Sequence, residues 1–140
     1  MIFAAASISV SMGMTNSDRD AINASVVYAL EKTGSFSYVK AGVDSHNNLT
    51  IWTTSKSTDQ NSTIAGIGYL IGVYLGAAKS NTELSDLNIM NGTIENVVDT
   101  MYCKRSWIDE VKVDSAGNMS DNDLAILVLR VLGTLQPTSK

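Results

Sequence analysis

Polar and apolar positions recur along this chain with two different periods, and the changes of period divide it into elements. At the start, Ile8, Val10, Met12 and Met14 alternate with Ser7, Ser9, Ser11 and Gly13. That is the two-residue period of a strand with one buried face, expected over residues 1–15. From Ser17 the period lengthens. Ile22, Val26, Ala29 and Leu30 share one face of a helix expected over residues 17–33, with Asp18 and Asp20 at its positive end and Gly34 suited to the position after its last turn. "SFSYVKAGV" and "LTIWTTS" are then rich in β-branched and aromatic residues and flank "DSHNN", which predicts a hairpin.

The most apolar stretch is "IAGIGYLIGVYLGAAK", residues 64–79. Its apolar run spans about 22 Å as a helix against roughly 30 Å of bilayer hydrocarbon, so burial in protein is expected rather than a transmembrane span. A phosphate loop is excluded by placement, because such loops set their glycines before a helix and these lie within the periodic segment. Gly68, Gly72 and Gly76 are spaced by four and form one ridge, beside a bulkier stripe of Ile64, Ile67, Ile71 and Leu75. Each glycine costs a helix about 1 kcal/mol relative to alanine. The ridge therefore predicts close approach of another backbone, from this chain or a second copy, while the bulky stripe lies on a sheet.

Beyond this helix, "LNIM" followed by "NG" and "NVVDTMYC" predicts a second hairpin, although Ile94, Val97, Val98, Met101 and Tyr102 also fit a helical stripe. The content of Val, Thr and Tyr favours a strand, and so does a faint repeat. At an offset of 48, Ser37, Val39, Ala41, Asn48 and Leu49 match Ser85, Leu87, Ile89, Asn96 and Val97. "WIDEVKVD" suggests a short added strand. Leu124, Leu127, Val128, Val131, Leu132 and Leu135 give a last helix over residues 120–136, stopped by Pro137. The expected body is one α+β domain over residues 1–140. Helix plus hairpin occupies 17–55 and again 61–106 in a possible αββ repeat, followed by a connector at 107–119 and the C-terminal helix. A mostly antiparallel sheet would carry two helices on one face.

Composition sharpens this. Hydrophobic residues make up 44% of the 140 and charged residues 17%, a balance that excludes disorder and permits a core without metal or disulfide staples. A net charge of −4 with no basic run offers nothing to a phosphate backbone, so nucleic acid is not an expected partner. One cysteine, Cys103, and one histidine, His46, exclude an internal disulfide and a Cys- or His-rich metal site. Asn-X-Ser/Thr triplets begin at Asn23, Asn48, Asn61, Asn91 and Asn118, more than the about two expected by chance. This favours an extracytoplasmic location, reached through a segment upstream of Met1. The uncharged "MIFAAASISVSMGM" itself lacks the basic start and apolar length of a secretory leader.

Candidate chemistry is sparse. "DSAGNMSDND", residues 114–123, is similar to half of a calcium loop. With Gly117 central, however, the first and fifth ligands would be Lys112 and Ala116, neither able to coordinate a hard cation. Cys103 has Lys104 and Arg105 nearby but no base placed by sequence, and His46 lies in a turn. Trp52, Tyr102, Arg105 and Trp107 are the aromatic and guanidinium groups that could share a sheet surface, and such patches favour protein partners. Strand parity would put Arg105 and Trp107 on one face and Tyr102 on the other.

The element order helix–hairpin–helix–hairpin–helix, with "VDSHNNLTI" across the first hairpin, is similar to that of roadblock-type dimeric scaffold domains. That resemblance implies an intracellular homodimer. Without it, the absence of any readable acid pair, triad, metal cluster or phosphate loop favours a non-enzymatic extracytoplasmic binding or assembly module. Such a module would self-associate through Gly68, Gly72 and Gly76, with Trp52, Arg105 and Trp107 for a protein partner and no cofactor or metal. A small thiol enzyme using Cys103 is the remaining alternative.

Overall fold

The computed structural model describes residues 14–115 and 118–138. The expected N-terminal strand lies outside the described residues apart from Met14 and Thr15, and so does Gly117 of the calcium-loop reading. Helix α1 (Asn16–Lys32) starts at a capping box: Thr15 Oγ1 accepts from the Asp18 N–H at 3.0 Å, and Asp18 Oδ2 accepts from the Thr15 N–H at 3.0 Å. These bonds satisfy donors that the first turn leaves open. Ile22, Val26 and Leu30 are buried as expected, and Gly34 takes a φ of 72° just beyond the last turn, a conformation that costs glycine little.

Strands β1 (Phe36–Val43) and β2 (Leu49–Ser55) form the first hairpin. Helix α2 (Gln60–Ser80) then crosses the sheet to β3 (Leu87–Gly92), which pairs parallel with β2, and β4 (Val97–Cys103) returns antiparallel to β3. A short helix α3 (Arg105–Asp109), helix α4 (Asp121–Leu132) and a two-residue strand β5 (Gln136–Pro137) on β4 complete the order. The sheet runs β1-β2-β3-β4-β5, and α1, α2 and α4 pack on one of its faces. This is the expected α+β two-layer arrangement, mostly antiparallel with one parallel seam.

Strands β2 and β4 begin at residues 49 and 97, the offset of 48 seen in the sequence. The αββ order recurs, but its two occurrences do not superpose. With β1 up, β2 and β3 run down and β4 up, in left-to-right order, with the helices on one side. The first hairpin therefore turns one way as seen from the helices and the second turns the other. No rotation interconverts them.

Pairing register sorts the inward side chains into three rungs. Val43, Leu49, Leu87 and Cys103 form the first, and Ala41, Ile51, Ile89 and Met101 the second. Most of these are fully buried against Val26, Leu30, Ile67, Ile71 and Tyr74. The third rung is Val39, Thr53, Asn91 and Asp99, where the sheet's inner face turns polar.

Three expectations change. Helix α2 lays Ile67, Leu70, Ile71, Tyr74 and Ala78 on the core, while Ile64 is exposed and Leu75 only half-buried. A helix apolar all round does not encode which face turns inward, so the contacts with the sheet decide it. "WIDEVKVD" gives α3 rather than a strand: the Arg105 N–H donates to Asp86 Oδ1 at 2.8 Å, and Arg105 Nε pairs with Asp109 Oδ1 one turn on at 3.0 Å. Only Val113 of that segment bridges, to Met119. The second hairpin turns through Thr93–Asn96 rather than at Asn91–Gly92, because Gly92 closes a register shift at φ 133°.

Candidate functional site

The residues expected to form an aromatic and guanidinium patch are dispersed. Trp52 lies on the sheet face away from the helices, paired with Lys40 and Met90. Arg105 is engaged within the chain: its Nη1 donates to the Leu84 carbonyl at 2.5 Å and its Nε to Asp109, which clamps the loop between α2 and β3. Trp107 sits in a ladder at the β4 edge. Its ring centroid is 5.6 Å from that of Tyr102, the Arg130 guanidinium lies 4.3 Å from it on the other side, and Arg130 pairs with Glu110 at 3.4 Å. Strand parity had separated Tyr102 from Trp107. Because α3 is a helix, parity does not apply and the two rings meet.

Cys103 ends β4 at 0% exposure, and burial pushes its thiol up to about 12, with Arg130 lowering and Asp86 raising it further. Almost no thiolate exists near neutrality under those conditions. Beside it Tyr74, also fully buried, donates its hydroxyl to the Ser85 carbonyl. Burial first, then Cys103 and Asp86, hold that phenol far above its ordinary range. His46 is exposed in the first hairpin turn. The side chain of Asp44 organises that turn. Burial raises Asp44, but N–H donors of Asn48 and His46 outweigh it and keep the carboxyl below its usual value.

The glycine ridge faces outward. An added Cβ at Gly72 or Gly76 would meet nothing within 4 Å, and at Gly68 only Leu124 Cδ2 at 4.0 Å. No packing within the described residues accounts for the glycines at 72 and 76. From Gln60 to Ala78 helix α2 carries no charged side chain. Grooves of about 550 and 570 Å³ flank it, one shared with Ala21, Ser25 and Ala29 of α1, the other with Leu124 and Leu129 of α4. Exposed Ile64 and Tyr69 stand beside Leu129, which is 67% exposed. The outer face of the helical layer thus leaves an apolar surface open among the described residues.

A second feature lies between the layers. Thr53, Asn91 and Asp99 line a cavity of about 350 Å³ walled by Phe36, Ile67, Leu70 and Met101. Thr53 is 5% exposed, whereas Asn91 and Asp99 are half-buried, so the polar rung is covered at Thr53 and partly open to solvent at the other two. Asn91 Nδ2 donates to Asp99 Oδ2 at 3.4 Å, and Asp99 Oδ1 is buried with no donor among the described residues. An unmet buried acceptor costs about 1–3 kcal/mol. The sequence does hold a trace of this rung. The third inward position in "LTIWT", "LNIMN" and its counterpart in "VVDTM" is polar, but only the pairing register brings Thr53, Asn91 and Asp99 together.

The Asn-X-Ser/Thr positions divide as well. Asn61 and Asn118 are exposed. Asn48 accepts from the Asp86 N–H at 3.1 Å, Asn91 holds Asp99, and Asn23 Oδ1 is buried. No described helix is long and apolar enough to cross a membrane, and no described cluster of His, Cys, Asp and Glu could hold a metal ion. No family model, curated protein or solved structure matches this chain.

Proposed function

We propose that this domain is a non-enzymatic assembly module that pairs with a second copy of itself through the outer face of α2 and α4, and that it works outside the cytoplasm. The observation that carries the first part is the outward ridge of Gly68, Gly72 and Gly76 on a helix face without charge, bordered by exposed Ile64, Tyr69 and Leu129. Helical glycines with open space around them lower the stability of the single chain. They gain a purpose when another helix backbone lies against them. A two-fold axis crossing α2 would bring the same ridge from both copies into contact, the commonest symmetry of soluble oligomers. The extracytoplasmic part is supported by the excess of Asn-X-Ser/Thr triplets, two of which, at Asn61 and Asn118, present accessible amides.

Sedimentation equilibrium from low to high micromolar concentration tests the pairing. A monomer–dimer equilibrium in the native chain, abolished by Gly72→Leu in a variant that retains its circular dichroism and melting cooperativity, is the expected result. A chain that stays monomeric at several hundred micromolar defeats the reading.

A further inference from the structure

We propose that the cavity beneath the third rung is a binding site for a small amine, with an apolar body held by the core side chains and its ammonium held by Asp99. The rung occupies a position where the two preceding rungs are aliphatic or sulfur-bearing, yet Thr53, Asn91 and Asp99 replace that pattern in three adjacent strands at once. One polar replacement would be a local accident of a strand. Three in register form a polar floor beside the apolar side chains of Phe36, Ile67, Leu70 and Met101, a mixture found in small-molecule sites, and about 350 Å³ lies at the small end of their usual range.

The charge of the ligand follows from the groups on that floor. Asn91 donates to one carboxylate oxygen of Asp99, and the other oxygen, Oδ1, is buried without a donor. The described ion pairs, Arg105 with Asp109 and Arg130 with Glu110, lie elsewhere, and neither involves Asp99. Buried charges are ordinarily paired. A ligand that brings an N–H donor and a positive charge supplies both missing partners in one group, through a charge-assisted hydrogen bond. A carboxylate or phosphate ligand would instead set like charges against each other. The buried part of the wall, Ile67, Leu70, Ile89 and Met101, offers no polar side-chain atom beyond the soft thioether of Met101 and takes an apolar body, while the hydroxyl residues Thr54, Ser55, Ser57, Thr58 and Thr63 line the less buried side. The ligand class is therefore a small alkyl or aralkyl amine. The site lies between the layers, so it does not depend on pairing of the outer α2 face.

Titration of the ¹³C-methyl-labelled native chain with n-hexylammonium, 1-hexanol and hexanoate, followed by NMR at Ile67, Ile89 and Met101, tests this. Saturable shifts are expected with hexylammonium, at least about tenfold weaker binding with hexanol, and none with hexanoate. In Asp99→Asn, which keeps the size and one acceptor, the preference for the amine over the alcohol should disappear. Equal binding of all three compounds would overturn the role of Asp99, leaving only an apolar void. Absence of saturable methyl shifts with hexylammonium up to its solubility limit would overturn the site altogether. Because the charge series is read on the native chain, a failure of Asp99→Asn to fold leaves the test decisive.

Discussion

Replacing Gly72 and Gly76 together by alanine adds two methyl groups to the outward face of α2, where neither new Cβ meets another atom within 4 Å. Within a single chain only backbone entropy changes, and each substitution should stabilise the helix by about 0.8–1.0 kcal/mol. The pair should then contribute about 2 kcal/mol, since the two sites share no packing partner that would couple them. For a chain of 140 residues, unfolding entropy near 2.1 cal/mol/K per residue is about 0.3 kcal/mol/K in total, so Tm should rise by about 7 °C. Urea unfolding at low micromolar concentration, followed by circular dichroism, measures this with an unchanged dependence on denaturant. At several hundred micromolar the same variant should associate more weakly than the native chain, because the methyl groups stand between the helices that are proposed to touch. Stability and association then move in opposite directions. A variant less stable than the native chain at low concentration would refute the reasoning, since the ridge would then be packed inside the protomer.

Other positions give sharper contrasts. Gly92→Ala should destabilise by about 3 kcal/mol or more in the same unfolding assay, because its φ is 133° and a Cβ there would lie 2.2 Å from the Asn96 carbonyl oxygen. Cys103 should resist thiol reagents in the folded chain at pH 8 and react only as the chain unfolds; rapid native labelling would contradict its burial. Its folded thiol titrates near 12 against an ordinary 9.0, so its stabilising contribution is full below about pH 9 and is lost as pH rises toward 12, when the unfolded thiol ionises first. Native chain minus Cys103→Ala, compared across that window, should show a negative slope of at most about 1.4 kcal/mol per pH unit. Expression in a host that attaches N-linked glycans should modify Asn61 and Asn118 and leave Asn23, Asn48 and Asn91 bare. Mass spectrometry of the glycopeptides reads this directly.

Much of the architecture was legible because local patterns and tertiary contacts agree. The 3.6-residue period placed α1 and its buried face, β-branched runs placed the strands, and Ser120 marked the start of α4, where its hydroxyl accepts from the Asp123 N–H at 3.1 Å. What failed were relations that no single segment carries. Helix α2 is apolar on every side, so its inward face could not be read from periodicity. The segment after Cys103 became α3 because Asp86, distant in sequence, accepts its first N–H. The polar rung is written one residue per strand and becomes a site only once the register is known. The 48-residue repeat is instructive in another way. Its second strands, β2 and β4, start 48 residues apart, yet the hairpins turn in opposite senses, so the likeness reflects two hairpins meeting the same demand for alternating burial. The helices α1 and α2 share a Val-Tyr dipeptide, Val27-Tyr28 and Val73-Tyr74, without sharing its environment: Tyr28 is 63% exposed and Tyr74 is 0% exposed.

Among the described residues strand β1 is the outer strand of the sheet, while β5 and the Thr138 N–H, which donates to Val98, cover the opposite margin. Eight residues of backbone along β1 thus end the ladder with polar groups that another molecule could continue. A register irregularity between Phe36 and Tyr38, together with the ammonium of Lys40 at mid-strand, are the guards against this. Losing both would let β1 of one molecule pair with β1 of another about a two-fold axis, and that contact alternating with the proposed pairing through α2 would string molecules into a filament in place of a finite particle.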